Sequence, residues 1–276
     1  MKVLIAGANG QVGAELTRLV KSEGIEFLAA GRTEMDIGSR HHVMTVVKES
    51  QPDIIVNAAA YTAVDRAESE PDAANRINHQ GALHLAEAAA KFGAILLHIS
   101  TDFVFDGTKE GAYVEQDTCR PLSVYGQSKY DGERAIRDVS DKHIILRTAW
   151  VFGGEANFVK TMRRLAADRD ELNVVSDQRG GPTPARAIAE SLIRIAKDVL
   201  APEFAEWGLY HFTGSPSVSW YEFACHILKD HSGVKVHPIP TSGYPTPATR
   251  PANSVLDCQR IKDVFGIEQP DWRDYL

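Results

Sequence analysis

Residues 1–13 read MKVLIAGANGQVG. Val3, Leu4, Ile5 and Ala6 form a short apolar run that ends at Gly7, and Gly7, Gly10 and Gly13 follow in a G-x-x-G-x-x-G spacing. Val12, Leu16, Leu19 and Val20 then recur at helical intervals. A buried strand, a glycine turn and an amphipathic helix in that order make the opening of a βαβ unit. Glycines at these places let the backbone turn tightly, approach a pyrophosphate closely and pack the helix on the strand. The helix N-terminus then offers free N–H groups and a positive dipole end to the phosphates, with Gln11 and Val12 in its first turn. The same spacing also serves plain turns, and the placement between first strand and first helix favours the dinucleotide loop.

Outward from this stretch the alternation continues. Strands are expected over 27–30, 53–60 (DIIVNAAA), 94–100 (AILLHIS) and 143–147 (HIILR). Helices are expected around Val43, Val46 and Val47, over 73–92, and from about residue 122. Continuous apolar strands separated by helices indicate a parallel sheet covered on both faces, so the fold class is α/β, a doubly wound parallel sheet. After Trp150 the pattern loosens into short strands at 172–176, 209–213 and 234–239 and helices at 185–200 and 221–231. The division expected is a dinucleotide-binding domain over 1–150 and a smaller α/β substrate lobe mainly over 151–276, with some later segments returning to the first.

The chain has 276 residues, 43% of them hydrophobic and 24% charged, with a net charge of −7. That balance argues against a general nucleic-acid binder, which needs clustered Lys and Arg. The cysteines, Cys119, Cys225 and Cys258, are odd in number and contain no C-x-x-C pair, so neither a disulfide framework nor a zinc site is indicated. The N-terminal apolar run is too short for a signal sequence, and no stretch approaches the about eighteen apolar residues of a membrane span. A cytoplasmic protein with no membrane contact is the expectation.

Two further places carry chemistry. Strand two ends in Ala30, Gly31 and Arg32; an acidic residue there would take the ribose 2′-hydroxyl of NAD, whereas an arginine accommodates the 2′-phosphate of NADP. Arg32 therefore favours NADPH, with NADH left open and a solvated surface arginine as the plain alternative. Asp36, slightly further on, could instead meet the adenine. Tyr125 and Lys129 stand four apart, so on a helix they share a face. A nearby ammonium favours the tyrosinate, and the phenol can then give a proton to an oxyanion. Such a pair arises by chance in roughly one chain of this size in three. Its position after a strand ending in Ser100 and Thr101, whose hydroxyl can reach the same carbonyl, gives it weight.

With these residues in view, the chain resembles the extended short-chain dehydrogenase/reductase superfamily, and within it the dTDP-4-dehydrorhamnose reductase family. The resemblance runs through GANGQVG (7–13), NAAAYTAVDRAESEP (57–71), STDFVFDG (100–107), PLSVYGQSKYDGE (121–133), LRTAWVFG (146–153), NFVKTM (157–162), DQRGGPT (177–183), YPTPATRPANSVLD (244–257) and PDW (270–272). It implies hydride transfer from NADPH or NADH to the 4-keto group of dTDP-6-deoxy-L-lyxo-4-hexulose. By position, Gly10, Gln11 and Val12 would cradle the pyrophosphate, Asp36 and Ile37 would lie by the adenine, and Ala60, Tyr61 and Thr62 would flank the coenzyme. Tyr125 would donate the proton, with Lys129 on the nicotinamide ribose. Thr101, Asp102 and Trp150 would meet the sugar and Arg250 the nucleotide phosphates, a structural arginine being the alternative.

The resemblance also implies a homodimer and a Mg²⁺ at a subunit contact, for which Glu15 is the candidate by position and a plain helix-surface glutamate the alternative. One departure is that the chain stops soon after PDW, where relatives have a further short helix, so the C-terminal edge is expected to be incomplete. Two other functions fit the same scaffold. Dehydratases and epimerases of nucleotide sugars are one; the dehydratases place an acidic residue directly after the Thr-Asp pair, where this chain has Phe103. A non-catalytic regulatory subunit of the methionine adenosyltransferase type is the other.

Overall fold

The structure is a computed structural model that describes all residues except Ala156 and Ser232. The chain runs β1 (Lys2–Ala6), α1 (Gln11–Ser22), β2 (Glu26–Ala30), α2 (Arg40–Ser50), β3 (Ile54–Asn57), α3 (Val64–Ala67), α4 (Pro71–Asn75), α5 (Gly81–Phe92), β4 (Ile95–Thr101), α6 (Val124–Val139) and β5 (His143–Thr148). It continues through β6 (Val151–Phe152), α7 (Phe158–Asp168), β7 (Glu171–Val175), β8 (Arg179–Gly180), β9 (Thr183–Pro184), α8 (Ala185–Asp198), β10 (Gly208–His211), β11 (Val218–Ser219), α9 (Trp220–Ile227), β12 (Lys235–Ile239) and α10 (Gln259–Phe265).

Six strands form one sheet in the order β10-β5-β4-β3-β1-β2, every pairing parallel. The order reverses at β1, so the crevice beyond the C-terminal ends of β1 and β3 is the ligand position of a doubly wound sheet. One face is covered by α1 and α8 over Val3, Ile5, Val56, Leu97 and Leu146. The other is covered by α2, α5 and α6 over Leu4, Ile55, Leu96 and Ile145. Both α8 and β10 lie beyond Trp150 in sequence, and both build onto this sheet. A separate apolar cluster joins Phe152, Met162, Leu172, Phe223, Ile227 and Trp272 around the parallel pair β7 and β12.

Two elements differ from expectation in ways that bear on the site. The third strand stops at Asn57 rather than at 60, because residues 58–60 turn away from the ladder to line a cavity. The helix expected over 73–92 is interrupted by a π-helical turn, Arg76–Gln80, between α4 and α5. That wider turn swings Asn78 inward, where its side chain accepts from Tyr61 N–H at 2.8 Å and donates to Tyr61 C=O at 3.1 Å. π-Turns of this kind are frequent at functional sites.

Candidate active site

The glycine loop crosses the C-terminal end of the sheet. Gly7 has φ +80°, and a Cβ on it would lie 2.5 Å from the Ala59 backbone nitrogen, so only glycine fits between β1 and the strand beside it. Gly13 faces the Gly7 carbonyl with no room for a side chain. Helix α1 begins with no side-chain cap at Gly10 and no acidic residue in its first turn. Its N–H groups and its dipole are therefore aimed outward without a protein counter-charge. A cavity of about 310 Å³ opens there, lined by Gly7, Gly10, Arg32, Asp36, Ile37, Ala60 and Tyr61, all marked by sequence. Asn9, Gly31, Met35, Ala58, Ala59 and Ile77 complete the wall.

Two strands along from β1, β4 ends at Thr101, which is buried, and its hydroxyl donates to Asp102 Oδ1 at 3.1 Å and accepts from Phe103 N–H at 3.2 Å. Helix α6 starts beside it because the Ser123 side chain caps Gly126 N–H at 3.1 Å. Gly126 has no space for a Cβ against the Phe103 carbonyl oxygen, so the helix can press its first turn onto the Thr101 corner. Tyr125 thereby comes against Thr101, whose hydroxyl opposes the effect of burial on the phenol, and its ring meets Phe103 edge-on at 5.5 Å. Lys129, one turn on, is buried. Asp102 is 2% exposed, with Oδ2 lacking any protein partner. A phenol, a hydroxyl and a carboxyl thus converge at the end of β4, on the same edge of the sheet as the glycine loop.

The family model described as the RmlD substrate binding domain matches residues 1–276. The dTDP-4-dehydrorhamnose reductase of Aggregatibacter actinomycetemcomitans is 48% identical over 284 residues, covering 100% of this chain and 97% of that one. The chain belongs to the dTDP-4-dehydrorhamnose reductase family. The crystal structure of such a reductase from Clostridium acetobutylicum superposes with a TM-score of 0.94 at 37% identity, covering 99% of this chain and 96% of that one. One from Bacillus anthracis, solved in complex with NADP, gives 0.92 at 36% identity with the same coverage.

In this member of the reductase family the electrostatics differ from the simplest expectation. Burial pushes Tyr125 up to about 12, and Lys129 is not among the groups that act on it. Burial also brings Lys129 down to about 8, against the opposing pull of Glu133. The Lys129 ammonium donates to the Ile99 carbonyl at 2.6 Å and faces His98 Nε2 at 3.3 Å. Burial raises Asp102 to about 6, with the nearby hydroxyl of Ser254 and the hydrogen bond from Thr101 opposing.

The remaining marked residues spread more widely. Gln11 has a buried Oε1 without a partner, Val12 packs into the core under α1, and Thr62 is exposed outside the cavity wall. Asp36 is held by an ion pair to Arg76 and accepts from Gly38 N–H at 3.0 Å. Trp150 adopts φ +47° and stacks on Trp220 at 3.6 Å. Arg250 grips Asp65 with two hydrogen bonds of 3.0 and 2.9 Å, which ties its segment to the start of α3. Glu15 pairs with Arg18, and no group of three or more metal-ligating side chains occurs among the described residues.

Sequence reasoning passed over Asn57, His98, Ser254 and Trp220. A signal existed for the first two, each a polar residue in an otherwise apolar strand segment, IIVN and ILLHIST. Ser254 lies inside the 244–257 block but was given no role, and nothing marked Trp220; both reach the site only through tertiary packing.

Proposed function

We propose that the chain reduces the C4 keto group of dTDP-6-deoxy-L-lyxo-4-hexulose to give dTDP-L-rhamnose, with NADPH preferred as reductant. The observation that carries this reading is the continuity of the site across the sheet edge. Gly7 abuts Ala59, and Ala59 N–H is bound by Asn57. Asn57 meets His98, which meets Lys129 on the helix of Tyr125. Coenzyme and sugar sites are therefore parts of one wall.

The loop fits a dinucleotide, since the glycines leave a cradle that any Cβ would fill and α1 is uncapped. Gly10, Gln11 and Val12 would hold the pyrophosphate, Ile37 and Asp36 the adenine, and residues 60–62 the nicotinamide half. When bound, the coenzyme supplies the hydride. Tyr125 is oriented by Thr101 and gives its phenolic proton to the oxygen that becomes an alkoxide at C4. The phenol is protonated at neutral pH, the state a donor needs, and burial raises it further. Lys129 keeps a positive charge beneath the site, and Asp102 with Trp150 contacts the sugar.

The cluster around β7, β12 and α9 forms the wall of the sugar side, with Trp220 bracing Trp150. Phe103 stands where a dehydratase would carry an acid, which favours plain reduction. No helix among the described residues is long and apolar enough to cross a membrane, and a cytoplasmic location and a homodimer belong to this reading. The test is turnover of dTDP-6-deoxy-L-lyxo-4-hexulose, followed by NADPH absorbance with identification of the product. Stoichiometric oxidation and dTDP-L-rhamnose are expected; no oxidation above a boiled control would refute the reading.

A further inference from the structure

Asn57 and His98 are each 1% exposed. They are direct register partners on β3 and β4, and so point to the same face of the sheet. That is the face covered by α5 and α6, as Ile55 and Leu96 show two residues back along each strand. Asn57 Nδ2 lies 2.9 Å from His98 Nδ1, and Ala59 N–H donates to Asn57 Oδ1 at 3.1 Å. The second contact fixes the amide, because its oxygen must face Ala59 and its NH₂ must face the ring. His98 Nδ1 is therefore an acceptor, and the neutral ring carries its proton on Nε2. Burial, with the Lys129 charge next, holds His98 well below the usual imidazole range, so the ring is neutral in ordinary conditions. Its Nε2–H is directed at Lys129 Nζ, 3.3 Å away.

An N–H pointed at an ammonium sets two donors against each other, whereas a neutral amine would present a lone pair. We propose that Asn57 and His98 are positioning residues for the reaction: Asn57 locks His98 in its Nε2–H tautomer, and that N–H loosens the proton on Lys129. The pair sets the pH above which Lys129 ceases to be a cation beneath the site. The other charged and titratable groups around it are Glu133 of α6, which favours the ammonium but is bound by Arg147 of β5, and His143 of β5. Among the buried residues of α5 are only Gly81, Ala82, Leu85, Ala86, Ala88 and Ala89.

The inference concerns Lys129 as read above and rests on that reading for its effect on turnover. The experiment is an NMR titration of the full-length protein with ¹³C-labelled lysine, the Lys129 signal being assigned by its loss in Lys129→Met. A midpoint near 8 is expected in the native protein. His98→Leu removes the opposing donor and should raise the midpoint by about one unit, tenfold in proton affinity. Asn57→Asp turns the donor into an acceptor, reverses the tautomer and should also raise it, by more while His98 is present than in the His98→Leu background, where only the new charge acts. The basic limb of the kcat profile should move with the midpoint. An unchanged midpoint in both variants would overturn the proposal. So would an equal shift from Asn57→Asp in the His98→Leu background. Unimpaired turnover in Lys129→Met would instead overturn the reading of Lys129 in the reaction, and is distinguishable because the midpoints are measured on the free protein.

Discussion

Arg32 stands exposed at the rim of the cavity behind the glycine loop, while Asp36, on the same wall, is occupied by Arg76. The free guanidinium can meet a 2′-phosphate, and the neighbouring carboxylate is already neutralised. A charge-assisted contact of this kind is worth about 1.5–3 kcal/mol. Arg32→Ala should therefore weaken NADPH roughly 10–100-fold and leave NADH nearly unchanged, as measured by fluorescence titration of each coenzyme. Equal losses for the two would show that Arg32 does not touch the 2′-position. Asp102 allows a test by pH. Its folded value of about 6 exceeds the unfolded value near 3.9, so the folded state binds more protons between them. Stability from this group is complete below about pH 4 and declines as pH rises to about 6, by an amount on the order of 3 kcal/mol at most. Urea unfolding of Asp102→Asn should show the variant gaining on the native protein between about pH 4 and pH 6 and no further above about pH 7. A difference independent of pH would contradict a raised Asp102.

At the scale of elements, α6 holds the proposed Tyr125 and Lys129 pair, and its placement depends on small residues. The Tyr125 and Lys129 pair was legible in sequence because both lie on one helix face, and the 7–13 loop because its glycines are contiguous with a strand and a helix. What joins them was not legible. Asn57 and His98 are 41 residues apart and meet only through the register of β3 and β4. The π-turn at Arg76–Gln80 left no mark in the hydrophobic pattern, since Ile77 and Leu85 suit one continuous helix as well. Strand β3 was read too long because alanines 58–60 continue an apolar run while their backbone departs to form a cavity wall. Gly126→Ala tests the docking of α6. The added methyl group would meet the Phe103 carbonyl oxygen, and such overpacking costs about 1–3 kcal/mol. Thermal unfolding should show a lower midpoint, and turnover should fall more than coenzyme affinity because Tyr125 moves against Thr101. Native stability and native turnover together would show that the close approach is unimportant.

Over the whole molecule, the proposed reading assigns the coenzyme side to the sheet and the sugar side to the cluster beyond β5. Chain order alone did not reveal how the later half divides. Helix α8 and strand β10 join the sheet, whereas β7, β12 and α9 pack around Phe223 and Trp272. Trp150 connects the two, since it follows β5 directly and stacks on Trp220. Trp150→Ala should raise the KM for the sugar nucleotide while NADPH affinity stays within a few-fold; a matching loss of both would place Trp150 on the coenzyme instead. The central claim is that Tyr125 supplies the proton for reduction at this site. Tyr125→Phe keeps the ring against Phe103 and removes only the phenolic hydroxyl. The decisive measurement is the turnover of that variant on dTDP-6-deoxy-L-lyxo-4-hexulose, with NADPH binding titrated in parallel. The account predicts a fall of about 10²–10⁴-fold in kcat with coenzyme affinity preserved; turnover close to that of the native protein would contradict it.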